Sequence, residues 1–265
     1  MAFKLTWLPG VLRNSGLKVS EVGGWQNRGR REMGTVRGIM CHHTAGGLSG
    51  IMPSLNVIRR GRSDLPGPLA QLGLGRDGTF FVIAAGVANH AGRGMWQGVT
   101  TGNSSFIGIE AENTGRSNDF PWPEVQMDAY ARGCAAILNH IGASAIMCCG
   151  HKEFARPAGR KPDPSFDMDK NDHDDMDSFR TQVHEFMHGT GVPRPIIPAE
   201  SADGRPTLRR PATGDLVKEI QAKVGVSIDG DFGPNTEAAV RAFQQRNGLV
   251  PDGIVGPKTW EVLLS

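Results

Sequence analysis

Hydrophobic and polar positions follow two different periods along the first part of the chain, and each period predicts one type of element. Apolar runs of strand length occur in VRGIMCHH, FIGIEAEN and SAIMCCGH. Two further runs flank RDGT, where Asp-Gly predicts a β-hairpin. Apolar residues three and four apart predict helices in PEVQMDAYARGCAAILNHIG, which ends at Gly142, and in DDMDSFRTQVHEFMH. This order predicts an α/β fold, with a mixed central sheet flanked by helices.

The pattern changes near residue 189. Residues 189–207 are rich in Pro, Gly and small polar residues and lack periodicity, which is typical of an interdomain linker. Beyond them, DGDFGPNT and DGIVGPKT begin at Asp229 and Asp252, and each precedes a helical pattern. Together with the helix predicted in GDLVKEIQAKVG, this repeat indicates a small all-α domain of three helices over 208–265. The larger domain then occupies 1–188.

Composition narrows the classes of partner and compartment. The 265-residue chain has a formal net charge of +2, which gives no reason to expect a nucleic-acid partner. No apolar run approaches the roughly 20 residues of a membrane-spanning helix, so we expect no membrane insertion. The start MAFKLTWLPG has no secretory signal. We therefore expect a monomer made in the cytoplasm that leaves it by a route other than a signal peptide.

The four cysteines form no Cys-x-x-Cys pair, and the two adjacent ones are poorly placed to bridge each other. They are Cys41, Cys134, Cys148 and Cys149. Because each lies in an apolar stretch, we predict buried, reduced thiols.

Candidate metal ligands lie where predicted strands end. His42 and His151 each end an apolar run, and Asp163 lies in a Pro-rich loop that can return beside His151. Two histidines and a carboxylate are a familiar ligand set for catalytic zinc, which keeps one coordination position for water. The sequence therefore predicts a Zn²⁺ site formed by these three residues.

Zinc-dependent hydrolysis of an amide also needs a base and a donor for the oxyanion. Glu110 and Glu112 alternate on one predicted strand and so share a face. We predict Glu110 as the base and Glu112 as a substrate-binding residue. Which of the two glutamates is the base stays open. Lys161 is the predicted oxyanion donor, and His90 is predicted to contact a substrate carbonyl or carboxylate.

Several of these motifs together resemble one family. CHHTAG, NHAG, IGIEAEN and HKEFARPAGRKPDPSFD are similar to the zinc-dependent N-acetylmuramoyl-L-alanine amidases of type 2, related to peptidoglycan recognition proteins and phage lysins, over roughly residues 35–187. The repeat at 208–265 resembles a peptidoglycan-binding domain. The resemblance implies that His42 rather than His43 binds zinc, together with His151 and Asp163.

This resemblance implies cleavage of the amide bond between N-acetylmuramic acid and L-alanine in bacterial peptidoglycan. Some members carry a catalytic tyrosine before the hairpin, but PLAQLGLGRDGT has none; other members use a glutamate that falls on Glu110. A non-catalytic peptidoglycan-recognition protein and a zinc peptidase acting within the stem peptide stay open as alternatives. The missing signal favours either an endolysin released through a holin-like pore or a bacterial hydrolase with dedicated export.

Overall fold

The structure of the chain is a computed structural model that describes residues 3–116, 119, 122–166, 175–191, 204–209, 212–249 and 251–265. Most of the predicted linker, residues 192–203, lies outside the described residues. The domain bounds 1–188, 189–207 and 208–265 therefore stay predictions.

Strands are confined to the amino-terminal part of the described chain. They are β1 (Val19–Glu21), β2 (Gly38–His43), β3 (Gly61–Arg62), β4 (Leu65–Pro66), β5 (Leu72–Leu74), β6 (Phe80–Val82), β7 (Phe106–Ala111) and β8 (Cys148–Gly150).

Helices occur in both parts of the described chain. The α-helices are α1 (Leu8–Asn14), α2 (Leu55–Arg60), α3 (Gly102–Ser105), α4 (Glu124–Ile141), α5 (His151–Phe154), α6 (Asp175–Met187), α7 (Asp215–Val224), α8 (Pro234–Arg246) and α9 (Pro257–Leu264). No helix in the described ranges combines the length and the apolar character needed to cross a bilayer.

Six strands form the central sheet in the order β1-β6-β5-β7-β2-β8. The pair β5 and β6 is antiparallel and forms the hairpin predicted at RDGT, while the other neighbouring pairs are parallel. β3 and β4 form a separate two-stranded sheet. Because β7, β2 and β8 are neighbouring parallel strands, their carboxyl ends meet at one edge of the sheet.

Helix α4 covers one face of the central sheet and contacts both α1 and α6. Its buried residues, among them Ala131, Cys134 and Leu138, belong to the same core as Ile39 and Ile109 of the strands. The helix ends at Gly142, which has a left-handed φ of 68°, as predicted. The predicted α/β fold, with a mixed sheet flanked by helices, is confirmed.

The carboxyl-terminal domain has its own core, to which α7, α8 and α9 each contribute buried side chains. The predicted three helices are confirmed. Both Asp-Gly pairs are turns, since Gly230 and Gly253 have φ of 80° and 75°, a region in which glycine carries no steric penalty.

Each of these turns is held by one buried glutamine, Gln221 or Gln244. The Gln221 side chain donates to Asp229, Thr236 and the carbonyl of Asp231, and accepts from the amide of Gly230. The second set repeats every contact at positions 23 residues later: the side chain of residue 244 bonds residues 252, 253, 254 and 259. The sequence repeat is therefore a repeat of one hydrogen-bonded unit.

Candidate metal centre

Three candidate ligands meet at the carboxyl-terminal edge formed by β7, β2 and β8. His42 is the penultimate residue of β2, and His151 begins α5 directly after β8. Asp163 lies in the following loop, whose backbone returns to the start of α5 through a hydrogen bond from the Lys152 amide to the Asp163 carbonyl. The loop therefore returns beside His151, as the sequence predicted.

The side chains of His42, His151 and Asp163 point to one small volume. One ligand atom from each lies within 4.8 Å of the other two. The Nδ1 atoms of His42 and His151 are each 3.0 Å from Oδ2 of Asp163. Both histidines are almost fully buried, so the surrounding protein holds the imidazoles in place.

The hydrogen bond on the far side of His151 tests whether this set fits a metal ion. His151 Nε2 lies 3.0 Å from the carbonyl oxygen of Ala91, which can only accept, so Nε2 carries the proton. In a neutral imidazole, which is the form that binds metals, Nδ1 then presents a lone pair to a carboxylate oxygen. Two such acceptors in contact are stabilised by a shared cation, and nitrogen and oxygen are donors that Zn²⁺ binds at about 2.0–2.2 Å. The donor set fits a metal ion.

Burial also favours the protonation state that a metal ligand needs. It lowers the pKa of His42 to about 4, and the nearby charge of Lys161 acts in the same direction. The imidazole is therefore neutral at physiological pH, and a neutral imidazole is the form that binds metals.

Glu110 is a predicted site residue that lies beside these ligands. It lies opposite His42 in the β2–β7 register, and its Oε1 is 4.0 Å from Nδ1 of His42. Its Oε2 is buried and makes no hydrogen bond within the described structure. Burial raises the pKa of Glu110 to about 8, with further contributions from the charges of Asp163 and Glu112. A carboxyl group with an unused oxygen at this position can take up and return a proton.

Lys161 lies two residues before Asp163 and is partly buried. Its positive charge lowers the pKa of Glu110 and of His42. The charge of Lys161 therefore acts on two residues of the candidate centre, and its role as oxyanion donor stays a prediction.

Both carboxylate oxygens of Glu112 are hydrogen-bonded within the protein, which leaves neither for the substrate contact that we predicted. Its side chain is fully buried. Oε1 accepts from the hydroxyls of Thr44 and Ser54, and Oε2 accepts from the Ser54 amide. Both oxygens are thus occupied in holding the loop that follows β2.

His90 is brought to the centre, where it contacts the candidate ligand His42. The residue is 8% exposed, and its two ring nitrogens contact His42 Nε2 and the carbonyl oxygen of Phe106. These contacts leave no ring nitrogen for the substrate contact that we predicted.

Tyr130 is a site residue that sequence reasoning missed. From α4, its hydroxyl accepts from the His42 amide and lies within donating distance of the carbonyls of His42 and Ile109. It therefore joins β2 to β7 directly under the candidate ligand. The helical pattern of the sequence predicts only that Tyr130 lies on the buried face of the helix.

Cys41, next to His42, faces the opposite side of β2. Its sulfur lies 3.6 Å from that of Cys148, and Cys134 completes the group. All four cysteines are buried and free, as predicted.

Comparison with known families identifies two regions. Residues 32–166 match the N-acetylmuramoyl-L-alanine amidase family. Residues 213–263 match a peptidoglycan-binding domain family. The first match contains all of the candidate ligands, and the second contains the glutamine-held repeat.

Individual relatives either match a short part of the chain or match most of it at low sequence identity. An uncharacterised protein of Kitasatospora aureofaciens is 49% identical over 65 residues, which is 22% of this chain and 55% of that protein. The zinc D-Ala-D-Ala carboxypeptidase of Streptomyces albus G is 42% identical over 62 residues, 20% of this chain and 24% of that protein. The chain thus spans about half of the first curated relative and a quarter of the second.

One similar solved structure is the N-acetylmuramyl-L-alanine amidase AmiD from E. coli in complex with a substrate, anhydro-N-acetylmuramic acid-L-Ala-D-gamma-Glu-L-Lys. It shares 18% identity, with a TM-score of 0.44, over 89% of this chain and 90% of that chain.

Proposed function

Because the chain belongs to the N-acetylmuramoyl-L-alanine amidase family, we propose that it hydrolyses the amide bond between N-acetylmuramic acid and the L-alanine of the stem peptide in bacterial peptidoglycan. The observation that carries this proposal is the convergence of His42, His151 and Asp163 beside a carboxyl group with one unused oxygen.

Zinc is the metal that we propose for this centre, held by Nδ1 of each histidine and by the Asp163 carboxylate. When bound, it would supply Lewis acidity, which polarises a carbonyl group and makes water a better nucleophile at neutral pH. The protein groups around it then have to move protons and stabilise charge.

Glu110 is the residue that we assign to proton transfer. Its carboxylate takes a proton from the attacking water and returns it to the nitrogen of the leaving L-alanine. The burial of the side chain raises its pKa towards neutrality, and a pKa near the working pH suits a group that both accepts and donates a proton.

Lys161 is the residue that we assign to charge stabilisation. As water adds to the amide carbon, negative charge develops on the carbonyl oxygen. An ammonium group in a partly buried position stabilises that charge more strongly than it would in bulk water. The charge of Lys161, which lowers the pKa of both Glu110 and His42, supports this role.

The carboxyl-terminal domain is proposed to bind the same polymer. Its match to a peptidoglycan-binding family supports a docking role. A tethered docking domain raises the local concentration of the polymer at the catalytic centre, and it needs no new contact there to do so.

Digestion of purified sacculi tests the proposal. We expect mass spectrometry to find released stem peptides that begin with free L-alanine, together with intact glycan strands. Release should stop when the protein is stripped of metal with a chelator and return when zinc is added back. Cuts only within the stem peptide would indicate a zinc peptidase instead, and binding of sacculi without any fragment would indicate a recognition protein.

A further inference from the structure

The NHAG motif around His90 is not explained by the proposed reaction, since its histidine faces a candidate ligand. His90 Nδ1 lies 3.2 Å from Nε2 of His42, and the two rings are nearly perpendicular, with centroids 5.3 Å apart. On its other side, His90 Nε2 lies 3.2 Å from the carbonyl oxygen of Phe106. The two imidazoles and this carbonyl form a continuous chain of contacts.

The carbonyl at the end of this chain determines the position of every proton in it. A carbonyl oxygen only accepts, so Nε2 of His90 is the donor. A neutral imidazole has a single N–H, so Nδ1 of His90 is an acceptor and the proton in the second contact belongs to Nε2 of His42. Nδ1 of His42 is then left with its lone pair, 3.0 Å from Oδ2 of Asp163. The opposite order would point a lone pair of His90 at the lone pairs of the carbonyl.

The surrounding backbone is shaped for this ring. Gly108 of β7 lies under His90, and a Cβ at Gly108 would come within 2.8 Å of the imidazole. The side-chain oxygen of Asn103 accepts from the amides of both His90 and Ala91. Ala91 in turn supplies the carbonyl that accepts from His151. The pair His90–Ala91 therefore supports both histidine ligands.

We propose that His90 is a positioning residue: it fixes the tautomer and orientation of His42, so that Nδ1 is presented to the metal, and it thereby tightens metal binding. This inference rests on the zinc site of the proposed function. Hydrogen-bond partners of metal-binding histidines typically contribute roughly 10–100-fold in metal affinity.

Two substitutions of similar size separate the two contacts of His90. In His90→Asn, the side-chain oxygen can occupy the position of Nδ1 and still accept from His42. In His90→Gln, the amide reaches the position of Nε2 and keeps only the contact with Phe106. The dissociation constant for zinc, measured on the full chain by competition with a chromophoric chelator, should rise roughly 10–100-fold for His90→Gln and only a few-fold for His90→Asn.

A second readout reports the tautomer itself. Long-range ¹H–¹⁵N correlation spectra should show His42 with its proton on Nε2 in the wild type and in His90→Asn, and a mixture of tautomers in His90→Gln. Equal zinc affinity in the wild type and His90→Gln, or an unchanged tautomer in both variants, would overturn the inference. A wild type that binds no zinc would instead refute the proposed function, so the two failures are distinguishable.

A backbone variant covers the case in which substitution of His90 prevents folding. Gly108→Ala places a methyl group against the ring and should weaken zinc binding in the same way. The matched control is Gly10→Ala in α1, where an added Cβ meets nothing within 4 Å. Unchanged zinc affinity in a folded Gly108→Ala variant would count against the role of His90.

Discussion

At the residue scale, two glutamates of one segment differ because their neighbours differ. Glu110 pairs with His42 across the β2–β7 register and keeps one oxygen without a hydrogen bond in the described structure. Glu112, just beyond the end of β7, uses both oxygens to hold Thr44 and Ser54. The same residue type is thus proposed to transfer protons at one position, and it holds a loop at the other.

The isosteric pair Glu110→Gln and Glu112→Gln separates these roles. Glu110→Gln removes the proton acceptor, so kcat/KM on a soluble muropeptide should fall about 10²–10⁴-fold, the usual range for such a group. Its zinc content and its midpoint of urea unfolding should stay close to those of the wild type.

Glu112→Gln should show the opposite profile. Its NH₂ group would replace one of the two accepting oxygens, so a donor of Thr44 or Ser54 would lose its acceptor. One unsatisfied buried donor costs about 1–3 kcal/mol of unfolding free energy. Activity should fall far less than in Glu110→Gln. If Glu112→Gln were the inactive and stable variant of the two, the assignment of the base would be reversed.

Some of these site residues could be predicted from the sequence and others could not, for physical reasons. Histidines and carboxylates that follow strands stand out as residue types, and His42, His151 and Asp163 do converge. The role of Tyr130 depends on contacts with backbone groups 88 and 21 positions away. The role of His90 depends on a carbonyl 16 positions away. Neither distance can be read from local spacing.

At the element scale, segments with a strong local signal were predictable, and short strands without such a signal were not. Helix α4 and the β5–β6 hairpin have strong local signals in their periodicity and turn residues. By contrast, β1 has three residues and is defined by its pairing with β6. A strand of this length obtains its hydrogen bonds from a distant segment, so its own pattern carries little information.

The repeated glutamine unit explains why the carboxyl-terminal sequence repeats at all. Gln244 is 1% exposed and holds residues 252–254 and 259 through both ends of its amide. A leucine of similar size would leave the amide of Gly253 without its acceptor. It would also remove the hydrogen bonds that Gln244 donates to Asp252, to the carbonyl of Ile254 and to Thr259.

Substitution of this glutamine should therefore destabilise the small domain selectively. For Gln244→Leu we expect a loss of several kcal/mol: about 1–3 kcal/mol for the unsatisfied Gly253 amide and about 0.5–1.5 kcal/mol for each of the other hydrogen bonds lost. The melting temperature of that domain should fall by roughly 10 °C or more. Scanning calorimetry of the full chain measures the change. Gln245→Leu, at the exposed next position, is the matched control and should melt like the wild type; equal losses in both variants would contradict the importance of the buried unit.

At the scale of the whole molecule, catalysis and docking are proposed to lie in two units with separate cores. The buried residues of α7, α8 and α9 form one hydrophobic cluster, and the sheet with α1, α4 and α6 forms another that shares no residue with it. The two family matches, 32–166 and 213–263, also do not overlap. The change in sequence pattern near residue 189 was enough to predict two units, because each unit's periodicity arises from its own core.

Because the cores are separate, we predict different effects on soluble and insoluble substrates when the small domain is unfolded. Loss of the small domain's structure should leave the candidate metal centre intact, so the Gln244→Leu variant, assayed above the melting temperature of its small domain, should hydrolyse a soluble muropeptide at the wild-type rate. On insoluble sacculi its rate should fall at least about 10-fold, because docking no longer holds the catalytic unit at the polymer, and tethering effects of this kind reach about 10²–10⁴-fold. Gln245→Leu, assayed at the same temperature, should match the wild type on both substrates. Equal losses on the soluble and insoluble substrates would mean that the small domain supports the catalytic unit itself, and no loss on either would remove its proposed role in docking.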